Sequence, residues 1–134
     1  MEKLLLVDFE NVQHVDLSRL DDKFRVTIFV GASQKSVPIE LAKNLQNFGN
    51  RVDWQKVEGN GSNALDFFIA CQLGRVLEMS PQLHCIVLSK DKGFDPLLRH
   101  LSKYRFVGGS FCLYQQVHGC ECDQFNPRTD RVRV

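Results

Sequence analysis

Strand-like apolar runs alternating with amphipathic helical patterns predict an α/β domain: a three-layer α/β/α sandwich around a central, mainly parallel sheet of five strands. Three observations carry this reading. The runs Leu4-Leu5-Leu6-Val7, Val26-Thr27-Ile28-Phe29-Val30 and Cys85-Ile86-Val87-Leu88 are continuously apolar, as strands buried on both faces are. Segments with apolar residues at helical spacing separate them. Polar residues follow directly, Asp8 after the first run and Ser89 after the last, as expected where a parallel strand delivers a side chain at its C-terminal edge.

The elements follow in order. Residues 4–7 form the first strand, residues 17–24 suit a short helix, and 26–30, closed by Gly31, form the second strand. Pro38 suits a first helical position, and Leu41, Leu45 and Phe48 continue that helix until Gly49 stops it. Residues 51–57 fit a third strand. After the loop Gly59-Asn60-Gly61-Ser62-Asn63, the stripe Leu65, Phe68, Ile69, Leu73 and Leu77 marks a long helix ended by Ser80-Pro81. Residues 84–88 form the fourth strand. Asp95-Pro96 reads as an N-cap and first helical residue, with Leu97, Leu98 and Leu101 buried behind it, and residues 110–117 alternate as a fifth strand after Gly108-Gly109. From Gly119 the apolar pattern gives way, so residues 1–118 are expected to form the domain and 119–134 a loose tail.

The 134 residues, 43% hydrophobic and 25% charged, suit one domain with one core and leave no room for a second. A net charge of +1 excludes nucleic-acid binding by bulk charge alone; a nucleic acid must be held by a local patch. The charge is segregated: residues 1–22 sum to −4 and residues 87–105 to +3. Each apolar run is far shorter than the ~20 residues of a membrane span, and the start lacks the pattern of a signal peptide, so a cytoplasmic protein is expected. Cys71, Cys85 and Cys112 fall in apolar runs and read as core thiols. His118, Cys120 and Cys122 lack the paired spacing of a structural zinc site and read as an ordinary tail.

In an open parallel sheet the functional crevice lies outside the carboxyl ends of the strands. Asp8, Glu10 and Asn11 follow the first strand, Ser33 the second, and Ser89 and Asp91 the fourth, while Asn63 and Asp66 open the long helix facing the same edge. Clustered carboxylates repel unless a cation lies between them, and hard oxygen ligands suit Mg²⁺ or Mn²⁺. Such an ion makes a nucleophile of bound water and stabilises charge on a phosphodiester oxygen. Phosphodiester hydrolysis is the natural reaction, and it should be lost with EDTA and fall at low pH.

Leu6-Val7-Asp8-Phe9-Glu10-Asn11, Asn63-Ala64-Leu65-Asp66-Phe67 and Leu88-Ser89-Lys90-Asp91-Lys92-Gly93-Phe94-Asp95-Pro96-Leu97 occur in the order and places expected of the PIN-like and NYN ribonuclease superfamily, which the chain resembles over residues 3–117. The resemblance implies sheet order 3-2-1-4-5, RNA as substrate, and Asp8, Asp66 and Asp91 as ligands of Mg²⁺ or Mn²⁺. Asn11 and Ser89 would orient the carboxylates; Glu10 either reaches the metal or faces solvent; Asn63 caps the helix or touches substrate. The chain departs from the NYN pattern at Gly93, where a second aspartate is usual, so Asp95 either takes that role as metal or water ligand or simply caps its helix. Lys90 is placed to steady the scissile phosphate, and Lys35, Lys56 and Lys92 to hold the backbone. Phe9, Phe94 and Phe125 are candidate exposed platforms for base stacking; Phe29, Phe48, Phe67 and Phe68 fall in core patterns. Arg128, Arg131 and Arg133 read as a disordered end rather than an RNA-binding tail.

Two other readings fit the same residues. In a haloacid-dehalogenase-like phosphatase, Asp8 would be the nucleophile and Glu10 the general acid, although that family has no use for Asp66. The vacancy at Gly93 also permits a catalytically degenerate RNA-binding or protein-interaction module, acting as a homodimer or in a larger assembly.

Overall fold

Val7 and Leu88 are paired neighbours at the ends of two central strands, and this register fixes where the polar residues that follow them emerge. The computed structural model describes residues 2–13, 15, 17–59, 61, 63–90, 93–103 and 111–114, the last four and Arg19 by backbone alone. Strands β1 (Lys3–Asp8), β2 (Phe24–Val30), β3 (Val52–Lys56) and β4 (His84–Leu88) form a parallel sheet in the order β3-β2-β1-β4, with the short β5 (Phe111–Tyr114) parallel beside β4. Helices α1 (Ile39–Gln46), α2 (Ala64–Met79) and α3 (Phe94–Ser102) fill the connections.

Alternation along the strands divides the core between the two sheet faces. Leu4, Leu6, Phe29, Cys85 and Val87 pack with Leu65, Ile69, Leu73 and Leu77 of α2 and with Phe94 and Leu98 of α3. Leu5, Val7, Val26, Ile28, Ile86 and Leu88 pack on the opposite face with Leu41 and Leu45 of α1 and with Phe9 and Val12. The α/β class with a parallel sheet is therefore as predicted.

Boundaries differ from the sequence pattern where local chemistry outweighs periodicity. Residues 17–24 do not form a helix: a single 3₁₀ turn covers Leu17–Arg19, because the chain must enter β2 at Phe24, whose strand is paired to β1 from Lys3. The backbone N–H of Lys23 donates to Asp21 Oδ1 at 2.9 Å, an Asx turn that ends any helical continuation. Pro38 is the N-cap of α1 rather than its first residue. Phe48 and Gly49 lie outside α1, where a 3₁₀ turn (Gly49–Arg51) leads into β3, and Gly49 supplies a φ of 56° there. Arg51 secures this corner, its Nη1 donating to the carbonyls of Asp21 and Phe24 while its guanidinium lies 4.8 Å from the Phe48 ring centre.

Asp95 does not cap α3. The helix begins at Phe94 with Gly93 in the cap position, so Asp95 and Pro96 both lie in the first turn, where an acid still complements the helix dipole. The expectations for Phe67 and Phe68 are also corrected, being 71% and 46% exposed, while Phe9 and Phe94 are buried and cannot be surface platforms. A run of aromatic and aliphatic residues at helical spacing covers more of the helix than one sheet face can bury, and Val76 completes the buried stripe instead. Cys71 is exposed on α2, not a core thiol; Cys85 is buried as expected. Phe125, Cys120, Cys122, His118, the three tail arginines and the segment 119–134 lie outside the described residues, as does the side chain of Cys112. Among the described residues, no helix is long and apolar enough to cross a membrane.

Candidate active site

Asp8 is the last residue of β1, which lies between β2 and β4 and is flanked on both faces by core. Its position in the alternation is that of Leu4 and Leu6, so its carboxylate emerges on the sheet face covered by α2. The pairing of Val7 with Leu88 places Ser89 directly beside it, on the same face as Cys85 and Val87. Both side chains are buried, Asp8 at 0% and Ser89 at 1% exposure.

Two donors serve one carboxylate oxygen. Ser89 Oγ donates to Asp8 Oδ2 at 2.8 Å, and Asn11 Nδ2 donates to the same oxygen at 2.8 Å. Asn11 reaches back because the turn after β1 closes with the Val12 N–H on the Asp8 carbonyl at 2.9 Å. Asp8 Oδ1 is buried with no hydrogen-bond partner. A buried carboxylate oxygen left unpaired is costly, and a cation is the partner that best offsets that cost.

The turn carrying Asn11 is held from the neighbouring strand by Gln34, which the sequence patterns did not single out. Its Oε1 accepts the Gly31 N–H at 2.8 Å and its Nε2 donates to the Phe9 carbonyl at 3.2 Å, so one side-chain amide ties the exit of β2 to the exit of β1. The Glu10 carboxylate lies over Gly31, where a β-carbon would collide with it. Glu10 is otherwise exposed to solvent.

Asp66 lies in the first turn of α2, half-buried, and lines an open groove of about 340 Å³ with Asn63, Phe67, Ala70, Gly93, Phe94 and Leu97. Asn63 occupies the N-cap position of α2 without a side-chain capping bond. Asp95, half-buried, is on the opening turn of α3. Lys35, Lys56 and Lys90 are all exposed. Lys90 follows Ser89 directly, Lys35 follows the β2 exit, and Lys56 ends the edge strand β3, two strands from β1. Asp91 and Lys92 lie outside the described residues. Among the described residues no three acidic, histidine or cysteine side chains stand close enough to hold an ion, so Asp95 and Glu10 do not complete such a group with Asp8 and Asp66.

The structure thus brings Asp8, Asn11 and Ser89 into direct contact, and sets Asp66 at the mouth of a groove between the N-terminal ends of α2 and α3. Asp8 fits a divalent cation: one oxygen is anchored by two neutral donors and the other is free of them. Neither the curated proteins nor the solved structures compared with the chain include a match. A family model described as PIN domain matches residues 2–106, which take in β1 through α3 and every site position named here, and the chain belongs to that family.

Proposed function

We propose that the protein is a metal-dependent ribonuclease that hydrolyses RNA phosphodiester bonds with Mg²⁺ or Mn²⁺. The family supplies a nuclease-like fold. The observation that carries the reading is Asp8 Oδ1, a buried carboxylate oxygen without a partner at the C-terminal end of a central strand. In this reading Asp8, Asp66 and Asp91 would hold the ion, which when bound supplies an activated water and charge stabilisation at the phosphate. Asn11 and Ser89 hold the Asp8 carboxylate in one orientation. Lys90, exposed and next in sequence to Ser89, would contribute an ammonium group suited to a phosphodiester oxygen.

The deciding experiment is cleavage of a labelled RNA by the purified chain with Mg²⁺ or Mn²⁺, with EDTA, and in Asp8→Asn and Asp91→Asn variants. Cleavage that requires the metal and both aspartates is expected. If the wild type turns over a generic phosphomonoester in an Asp8-dependent manner and leaves RNA intact, the nuclease reading fails. RNA binding without cleavage, unaffected by either substitution, would instead assign the chain as a degenerate binding module, consistent with glycine at position 93.

A further inference from the structure

Ile39, Trp54, Phe67, Phe68 and Met79 are large apolar residues exposed on the described surface. Of these five only Phe67 lines the groove that contains Asp66. It stands in the first turn of α2, next in sequence to Asp66, with its backbone N–H bonded to the Asn63 carbonyl at 3.2 Å. Asn63, Asp66, Phe67 and Ala70 follow the i, i+3, i+4, i+7 spacing that places them on one helix face, and across from them stand Gly93, Phe94 and Leu97 of the α3 opening.

The groove is shaped by contrast of size. Ala70 and Gly93 are small, so the helices leave open space between them, while Phe94 is buried and forms an apolar floor. Phe67 stands as a wall with 71% of its surface in solvent. What sets Phe67 apart from the other exposed apolar residues is its place in the groove beside Asp66, not its exposure. At about 340 Å³ the groove lies at the small end of ligand pockets, which span about 300–1,000 Å³. It has two polar side chains, the Asn63 amide with both donor and acceptor and the Asp66 carboxylate. A flat, partly apolar ligand with polar edges matches that lining, and one that must sit beside a carboxylate of the proposed site is a base of the substrate itself.

We propose that this groove is a subsite for one unpaired nucleobase of the RNA, stacked on Phe67 beside Asp66. The inference rests on the ribonuclease reading and deepens it by naming the side chain on which one base of that substrate stacks. A base within a duplex has both faces covered by its neighbours and cannot present one to an aromatic ring. Stacking on an aromatic side chain is tolerant of sequence, so the subsite selects for an unpaired nucleotide more than for a particular base.

The test compares Phe67→Ala, Phe67→Leu and Phe67→Trp with wild type on a single-stranded RNA, with Phe68→Ala as the neighbouring control. Phe67→Ala should raise KM about tenfold, within the range found for removing one base–aromatic stack, while kcat changes less than twofold. Phe67→Leu, which keeps apolar bulk but has no ring, should behave like alanine, Phe67→Trp should restore KM, and Phe68→Ala should leave it unchanged. A 2-aminopurine placed singly along the RNA should be quenched at one position by wild type and Phe67→Trp, and not by Phe67→Ala. Full rescue by leucine, an equal effect at Phe68, or an unchanged KM in Phe67→Ala overturns the subsite while wild-type cleavage leaves the nuclease reading standing. An unchanged KM together with a change from dimer to monomer in sedimentation assigns the groove to self-association instead. A wild type that neither cleaves nor binds RNA overturns both.

Discussion

Ser89 Oγ lies 2.8 Å from Asp8 Oδ2, a bond between buried side chains separated by 81 positions in sequence. It exists because β1 and β4 are adjacent parallel strands whose paired ends, Val7 and Leu88, are followed by polar residues on the same sheet face. Asn11 adds a local bond to the same oxygen. The carboxylate is therefore fixed through one atom, leaving Oδ1 buried and without a hydrogen-bond partner.

Replacing Ser89 with alanine removes the buried donor. A hydrogen bond to a charged group contributes about 1.5–3 kcal/mol, so a loss of about 2 kcal/mol in urea-induced unfolding is expected. Asn11→Ala should cost less, about 1 kcal/mol or under, because Asn11 is exposed and water can take its place at the oxygen. Equal losses in the two variants would show that burial does not set the strength of these bonds.

Asp8→Asn should separate stability from function. The amide oxygen can still accept from Ser89 and Asn11, and removal of the buried charge offsets the weaker neutral bonds and the unpaired amide nitrogen that takes the place of Oδ1, so the metal-free variant should stay within about 1–2 kcal/mol of wild type. Mn²⁺ should raise the melting temperature of wild type and leave that of Asp8→Asn in place, since a ligand that binds only the native state adds about 2.7 kcal/mol at a hundredfold excess over Kd. A similar Mn²⁺ shift in both proteins would remove Asp8 from the ion site.

The position of Asp8 at the end of a buried strand was legible because a run of four aliphatic residues ending in an acid admits few placements in a parallel sheet, whereas the strand order came from the resemblance to the PIN-like superfamily. Ser89 was legible for the same reason at the end of β4. Gln34 was not: it belongs to no periodic pattern, and its two bonds span 3 and 25 positions, a pairing that exists only once β1 and β2 are neighbours. Phe68 was misread because its spacing fits the apolar stripe, and sequence spacing alone does not say how much of a helix circumference the sheet covers; Phe67 was assigned to the core although it lies off that stripe. Asp95 was misplaced by two positions, since Gly93 caps and Phe94 opens α3 before the Asp-Pro pair that usually marks a helix start.

Gln34→Leu removes the amide that holds the exits of β1 and β2 together. The Gly31 N–H and the Phe9 carbonyl would each lose a partner, so a stability loss of about 1–2 kcal/mol is expected, with added hydrogen exchange at Gly31. Gln34→Glu keeps the acceptor for Gly31 but sets a carboxylate oxygen against the Phe9 carbonyl, and should not restore the loss. Wild-type exchange rates in both variants would mean that the turn holds itself without Gln34.

Gly31→Ala tests the position of Glu10. Gly31 is buried and has no left-handed φ, so the added methyl strains no backbone; it meets the Glu10 carboxylate, the far end of a flexible side chain that can swing away. The stiffer unfolded chain contributes about 0.4–1 kcal/mol in favour of folding, which offsets moving Glu10, and stability should stay within about 1 kcal/mol of wild type. If the only consequence of the methyl is displacement of Glu10, the double variant Gly31→Ala, Glu10→Ala should cleave RNA at the rate of Glu10→Ala alone. Rates that instead fall further in the double variant would place the effect of the methyl on another group, with Gln34, whose Oε1 lies 3.6 Å from the same point, the first to inspect.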